Sequence, residues 1–144
     1  MSTLTVKSIY DAMHVVRNTL TKLGNPKIAF IGQRATDVYM FTPFIPVDLV
    51  ICLDSDDVGI PTISLEKKLG RKDLWYSTML SQLLANDEVA SAVKAVLPSG
   101  SLVIPYASST ELEQFCDTNG YRLLGERYDK RRAFENKVKL VDLK

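Results

Sequence analysis

The chain has few of the residues that most catalytic and metal-binding motifs require. Among its 144 residues there are two cysteines and one histidine. Cys52 and Cys116 lie far apart and form no CxxC pair, so we interpret both as reduced packing residues. His14 has no cysteine or acid beside it at a ligand spacing, so the sequence predicts neither a zinc site nor a Ser-His-Asp triad. We therefore assign no catalytic residue and no metal ligand from the sequence.

An excess of charge of one sign and long apolar runs are also lacking. The chain has 18 basic and 17 acidic residues, which gives a net charge of +1. This balance gives no electrostatic reason to expect nucleic acid or an anionic membrane surface as a partner. No window is apolar enough to cross a bilayer, and the N-terminus lacks the regions of a secretory signal. We expect a cytoplasmic protein that binds neither nucleic acid nor membrane.

The sequence does contain short apolar runs that alternate with helical patterns. Its length suggests one domain. The alternation predicts an α/β fold with a small, mostly parallel, Rossmann-like sheet flanked by helices. Strands are predicted at 27–32, 48–54, within 60–70, at 101–107 and at 121–125. Helices are predicted at 6–23, over 75–97, at 110–120 and from 129 to 144, and a loop with one helical turn at 33–46. Asn86 or Asp87 could start a second helix within 75–97, and Ser109 or Thr110 could cap the helix at 110–120.

Ligands of parallel sheets bind outside the carboxyl ends of the strands. The residues that follow the predicted strands are therefore candidates for contact with a substrate. These candidates are Gly32, Gln33, Arg34, Asp54, Asp56, Tyr106, Ser108 and Ser109.

The stretch VDLVICLDSDDV, at 47–58, ends an apolar run in three acids and allows three interpretations. A dinucleotide site is disfavoured, because Gly32 stands alone and the chain has no GxGxxG. The preferred interpretation is a strand end that emerges into water, where Asp and Ser bond their own backbone well. The third interpretation is chemical and rests on Asp54 and Asp56.

Asp54 to Val58 fit the DxDx(T/V) motif of haloacid-dehalogenase-type phosphatases. In that reading Asp54 would attack phosphorus and Asp56 would act as acid and base, around magnesium. The pair Ser108–Ser109 and Lys130 could stand in for two further motifs of that family. No later strand followed by paired acids is present to hold the metal, so this remains an alternative.

The C-terminal third resembles the end of the N-terminal, pre-ATP-grasp domain of ATP-grasp ligases. In that family a strand, a helix with acidic positions and a short "g..llg" strand precede a helix whose lysine begins the ATP-binding region. The resemblance is strongest over 97–140, is looser from residue 27 onward and leaves the first helix unmatched. The matching segments are LVIPYASS at 102–109, ELEQFCDTNG at 111–120, YRLLG at 121–125 and AFENK at 133–137.

The resemblance implies a pre-ATP-grasp-like domain at 1–128 and, at 129–144, the start of a helix that leads to an ATP-grasp region. It implies that Lys137 reaches the phosphates of ATP, although spacing alone favours a solvated lysine on a basic helix. The full-length parent would use ATP and magnesium to join a small carboxylate to an amine through an acyl phosphate. Because this chain ends shortly after Lys137, we expect it to be a truncated domain that is inactive and binds no cofactor alone.

Two alternatives to a ligase domain stay open at this point. One is a free-standing α/β module that binds a ligand or a protein partner. The other is the phosphatase that uses Asp54 and Asp56. A homodimer is a further arrangement that the sequence neither requires nor excludes.

Overall fold

The computed structural model describes residues 7–74, 78, 80–125, 127 and 129. These residues contain five strands, four α-helices and two short 3₁₀ helices. The strands are β1 (Ile28–Gly32), β2 (Leu49–Cys52), β3 (Thr62–Ser64), β4 (Leu102–Pro105) and β5 (Arg122–Leu123). The α-helices are α1 (Ile9–Lys22), α2 (Leu65–Leu69), α3 (Asp87–Val96) and α4 (Thr110–Asn119), and the 3₁₀ helices are Ala35–Met40 and Leu80–Gln82.

The five strands form one sheet in the order β3-β2-β1-β4-β5, and every neighbouring pair is parallel. Phe30, in the middle of the sheet, lies opposite Val50 on one side and Ile104 on the other. The predicted small α/β sheet is therefore confirmed. Because all the strands are parallel, their carboxyl ends meet at one edge of the sheet.

The central strands carry apolar side chains on both faces, because other elements cover both faces of the sheet. Ala29 and Ile31 face one cluster, which α3 and α4 complete with residues such as Val93 and Leu112. Ile28 and Phe30 face the opposite cluster, which contains residues of the 3₁₀ helix Ala35–Met40. This covering explains why β1 and β2 are continuous apolar runs in the sequence instead of alternating ones.

Helix α1 is confirmed, and its start is set by Ser8, whose hydroxyl accepts a hydrogen bond from Asp11 N at 3.2 Å. No residue of α1 is buried, although Leu20 packs against the cluster around Phe30. The predicted stop is also found, since Gly24 adopts φ of 81° just beyond the helix. No helix within the described part of the chain is long and apolar enough to span a bilayer.

The helical prediction over 75–97 is only partly correct. Among the residues of this range that the structure describes, Asp87–Val96 is the α-helical part. It begins at the cap Asn86, whose side chain accepts from Val89 N at 3.1 Å. The described residues just before this cap form tight turns, in which Leu83 N donates to Leu80 O at 3.1 Å. These turns bring Leu83 into the core, where it is fully buried.

Helix α2 was not predicted. Ser64 ends β3 and at once caps α2, accepting a hydrogen bond from Lys67 N at 3.3 Å. Gly70 ends the helix in the left-handed conformation with φ of 60°. The predicted helix at 129–144, including Lys137, lies outside the described residues except at its first position.

Candidate functional site

The loops that follow β1, β2 and β4 are joined by backbone hydrogen bonds at the carboxyl edge. Leu53 N donates to Gln33 O at 3.1 Å, and Tyr106 N donates to Ile31 O at 2.8 Å. The candidate residues after these strands are thereby held at one edge. They separate into two groups around two cavities.

The first cavity, which we call the acid cavity, has a volume of about 200 Å³. It lies where β1 and β2 end and where α2 begins. Its lining side chains are all polar. They are Arg34, Asp54, Ser55, Asp56, Glu66, Lys72 and Asp73.

Asp54 is the most deeply buried of the predicted acids, with 3% of its surface exposed. Its Oδ1 accepts a hydrogen bond from Ala35 N at 2.7 Å, which ties the end of β2 to the start of a 3₁₀ helix. Its Oδ2 lies 3.6 Å from Arg34 Nε. Arg34 Nη2 in turn donates to Asp56 Oδ2 at 3.2 Å, so one guanidinium serves two carboxylates.

Burial raises the pKa of Asp54 above its ordinary value, and the nearby Asp56 carboxylate raises it further. The hydrogen bonds from Ala35 N and from the Cys52 thiol act in the opposite direction. Burial likewise raises the pKa of Cys52 strongly, with Asp54 as the next cause, so this thiol is not a nucleophile. The hydrogen bond to Asp56 raises the pKa of Arg34, which stays a cation.

The three acids of DSDD have different surroundings. Asp57 is exposed and its Oδ1 accepts from Gly59 N at 2.9 Å, so the interpretation as a strand-end turn fits this residue. Asp56 is half exposed and pairs with Arg34. Asp54 does not emerge into water, because the loop after β1 covers it. Its carbonyl oxygen also accepts hydrogen bonds from the hydroxyl of Ser64 and the thiol of Cys52.

The second cavity, which we call the serine crevice, has a volume of about 360 Å³ and opens between β1, β4 and the start of α4. Its floor is apolar and its rim carries hydroxyl groups and one carboxylate. The floor consists of Ile31, Leu80, Leu84, Ala107 and Leu112, and the rim of Ser81, Ser108, Ser109, Thr110 and Glu111.

Ser109 has a structural role as well as a place on the rim. Its hydroxyl accepts a hydrogen bond from Leu112 N at 3.1 Å and so caps α4, as predicted. Gly120 ends the same helix with φ of 72°, where an added Cβ would lie 2.3 Å from Ser99 Oγ. The crevice is therefore built around a helix whose two ends are defined by the sequence.

The remaining candidates contribute less to either cavity. Gly32 is buried, and a Cβ there would come within 2.6 Å of the Phe30 ring, so packing requires this glycine. Gln33 contributes its backbone carbonyl to the β2 loop. Tyr106 is half exposed and lines neither cavity.

Several lining residues were missed by sequence reasoning. Glu66 could have been found, because it follows β3 and the strand-end rule applies to it as it does to Asp54. It is 4% exposed, and its Oε1 accepts from Leu74 N at 2.7 Å. Lys72, Asp73 and Ser81 carry no sequence signal, since only the folding of irregular segments brings them to the edge.

Within the described ranges, no group of three or more His, Cys, Asp or Glu side chains could hold a metal ion. No protein-family model, curated protein or solved structure matches the chain. Functional assignment therefore depends on the geometry of the two cavities.

Proposed function

We propose that this chain is a non-catalytic N-terminal domain of an ATP-dependent ligase of the ATP-grasp type, and that its carboxyl edge forms part of the cleft for substrate and ATP. The observation that carries the proposal is the serine crevice at the carboxyl ends of β1 and β4. The strand order progresses from β1 to β2 and β3 on one side, and to β4 and β5 on the other. Ligands of open parallel sheets bind where the order reverses in this way.

The chemistry of the crevice suits a small organic substrate. Binding sites for small molecules are mostly apolar, with a few polar groups that orient the ligand, and span about 300–1,000 Å³. The crevice lies at the lower end of that range, with leucines on its floor and hydroxyl groups on its rim. A substrate of modest size, with an apolar part and one or two polar groups, is the class that fits.

The unit β4–α4–β5 supports the ligase assignment beyond simple ligand binding. Its elements fall within the segments that resemble the pre-ATP-grasp domain, and α4 carries acidic positions on one side. Arg127, just after β5, pairs with two of them: its Nη2 lies 2.9 Å from Asp117 Oδ2 and its Nε lies 3.4 Å from Glu113 Oε2. These ion pairs hold Arg127 against α4.

The cofactors of the proposed reaction would be held mainly by other parts of the parent protein. The resemblance gives this chain one phosphate-binding lysine, Lys137, and gives magnesium and adenine to a later region. The role proposed here is to shape and close the substrate side of the cleft.

The experiment uses the protein produced from the complete gene. With ATP, magnesium and a panel of small carboxylates, an acyl phosphate should form with release of ADP. Hydroxylamine should then trap it as a hydroxamate, with release of inorganic phosphate. Lys137→Ala should lower the rate about 100-fold, since it removes one cation from a transferring phosphoryl group. Lys139→Ala is the matched control and should retain the rate. A gene product that ends at Lys144, or one that forms no acyl phosphate with any carboxylate, would contradict the proposal.

The phosphatase alternative receives less support from the geometry. A nucleophilic aspartate must reach the phosphorus atom, whereas Asp54 is 3% exposed and its Oδ1 is engaged by Ala35 N. Magnesium-dependent hydrolysis of p-nitrophenyl phosphate that is lost in Asp54→Asn would favour it over the ligase. A free-standing ligand-binding module uses the same crevice, and a gene product ending at Lys144 that still binds a small molecule would favour that alternative.

A further inference from the structure

A third cavity, which we call the helix groove, lies between α3 and α4 and has a volume of about 370 Å³. Leu84 and Glu111 line both the helix groove and the serine crevice, so the two cavities adjoin at these residues. The volume and the combination of an apolar floor with a polar rim are typical of sites for small molecules. The floor consists of Leu84, Ala85, Ala90 and Phe115, and the rim of Lys94, Glu111, Gln114, Thr118 and Asn119.

The two helices that form the groove run side by side in the same direction. Each leads into a strand, α3 into β4 and α4 into β5, and these strands are parallel neighbours. The C-terminal ends of the helices are joined, because Tyr121 Oη donates to Leu97 O at 2.9 Å. Lys94 precedes Leu97 by the same three positions by which Thr118 precedes Tyr121. Lys94 therefore lies at the level of Thr118 along the groove.

This arrangement places the two charged residues of the groove at opposite ends. Glu111 precedes Thr118 by seven positions on α4, which is about 10 Å along the axis at roughly 1.5 Å per residue. The floor residues Ala90 and Phe115 occupy the length between Glu111 and Lys94. Within the part of the chain that the structure describes, neither Glu111 nor Lys94 forms an ion pair. Both charges are therefore open to a ligand.

The order of charge, apolar floor and opposite charge restricts what the groove can take. A cationic group is attracted at Glu111 and an anionic group at Lys94. Phe115 and Leu84 are partly buried against the core, and an apolar stem laid over them would remove more apolar surface from water. A compact zwitterion, with both charges on one carbon atom, cannot reach both ends. The groove therefore fits a molecule whose two charges are separated by an apolar stem.

We propose that the helix groove binds a linear zwitterion, with an ammonium group at Glu111, a carboxylate at Lys94 and an apolar stem along Ala90 and Phe115. The ammonium group has three donors for the carboxylate of Glu111, and the ligand's carboxylate accepts from the ammonium of Lys94. A free ω-amino acid and a short apolar peptide, with its two charged termini, share this chemistry. The proposal goes beyond the ligase role and does not depend on it.

The test is a titration of the full chain by NMR with 6-aminohexanoate, read at the amides of Ala90 and Thr118. Both amides should shift, with a dissociation constant of about 1 mM. Hexylamine and hexanoate have the same stem but lack one charge each, so each should bind about threefold more weakly, as expected for one exposed ion pair. Glycine, whose charges are adjacent, should leave both amides in place.

Trialanine distinguishes the two sources of this chemistry, because it carries the same terminal charges on a peptide stem. Tighter binding of trialanine than of 6-aminohexanoate identifies a short peptide as the ligand. Weaker binding of trialanine identifies a free ω-amino acid, whose methylene stem suits the apolar floor better.

Variants of the two charged residues assign each end of the ligand. Glu111→Gln should weaken binding of 6-aminohexanoate about threefold and leave that of hexanoate unchanged, because hexanoate has no ammonium group. Lys94→Gln should also weaken binding of 6-aminohexanoate about threefold, but leave that of hexylamine unchanged. Both residues are exposed, so neither substitution should disturb folding.

A variant of the floor tests the place of the stem. Ala90→Leu fills the groove between the two charges and should weaken binding of 6-aminohexanoate about tenfold. Ala95→Leu is the matched control, because Ala95 is an exposed residue of α3 that does not line the groove. It should bind as the wild type does.

Three outcomes would overturn the proposal. The amides of Ala90 and Thr118 could stay in place with 6-aminohexanoate, or the compounds that lack one charge could bind as tightly as it does. Unchanged binding in Ala90→Leu would place the ligand elsewhere. Shifts of the same amides that grow with protein concentration alone would assign the groove to a second copy of the chain. Because the titration needs neither ATP nor turnover, its failure is distinct from failure of the ligase proposal.

Discussion

The acid cavity and the serine crevice lie at the same edge of one sheet, but polar side chains line the first and apolar side chains form the floor of the second. In the acid cavity the polar side chains themselves join separate loops, since Asp54 bonds Ala35 N and Glu66 bonds Leu74 N. In the serine crevice the surrounding segments are held together by the apolar floor, most of which belongs to the core around α3 and α4. Its rim hydroxyls lie outside that core.

The residues that should stabilise the fold therefore differ in kind between the two cavities. Floor residues of the crevice should stabilise the fold, and most rim residues should be replaceable without loss of folding. In the acid cavity the buried carboxylates that line it should stabilise the fold. Substitutions at matched positions of the two cavities therefore test whether this division is real.

The largest effect is expected at the floor of the serine crevice. Leu112 is 4% exposed and packs in the core cluster, so Leu112→Ala should lower the free energy of unfolding by about 3 kcal/mol through lost burial and a residual cavity. Leu84→Ala, at a partly buried floor position, is the control and should cost less than half as much. Urea denaturation measures both. Equal losses would mean that the deeper burial of Leu112 does not determine the cost.

The next effect concerns Asp54. Asp54→Ala should destabilise the fold by about 2 kcal/mol, because the Ala35 amide loses its acceptor in a buried position and Arg34 loses one of its two carboxylates. Asp56→Ala removes the half-exposed partner of the same arginine and should cost less than about 0.5 kcal/mol. A near-zero cost for both would show that the acids do not stabilise the fold, and the contrast between the two cavities would disappear.

A smaller effect is expected at the rim of the crevice. Ser109→Ala removes the cap of α4 and should cost about 1 kcal/mol, whereas Ser109→Asp should restore most of it, since aspartate caps equally well. Thr110→Ala, at the next and exposed position, should change stability by less than about 0.5 kcal/mol. Thermal unfolding followed by circular dichroism measures all three. Loss of equal size at Ser109 and Thr110 would mean that capping is not the cause.

Much of the fold was accessible from the sequence because it depends on local signals. Continuous apolar runs marked β1 and β2, and Asn119–Gly120 and Ser109 marked the two ends of α4. The cap at Asn86 was likewise visible, although the turns before it were not. These features depend on a few adjacent residues and on backbone preferences that act over one turn.

The arrangement of the site was less accessible because it depends on contacts between distant residues. The bond between Asp54 and Ala35 joins positions 19 residues apart, and nothing in DSDD distinguishes the buried acid from the exposed ones. Glu66, in the run SLEKKL, has the pattern of a surface residue until α2 turns it inward. The alternation of strands and helices predicted a parallel sheet but not the order β3-β2-β1-β4-β5, which divides the candidate residues between two cavities.

The pH dependence of stability tests the acid cavity against the crevice with the smallest expected effect. In the folded chain the pKa of Asp54 is raised above its ordinary value of 3.8, chiefly by burial. Between these two pKa values the folded chain holds a proton that the unfolded chain has released, so the free energy of unfolding should fall as the pH rises through this interval.

Asp54→Asn removes the titrating group and should therefore flatten this part of the stability curve. Asp56→Asn removes a neighbouring negative charge that helps to raise the pKa of Asp54. It should therefore narrow the pH interval over which stability falls, without abolishing it. Ser109→Ala, which removes no titratable group and lies at the other cavity, should keep the wild-type slope. Urea midpoints between about pH 4 and pH 7 give the slopes. An unchanged slope in Asp54→Asn would mean that burial does not raise the pKa of this carboxyl group in the folded chain.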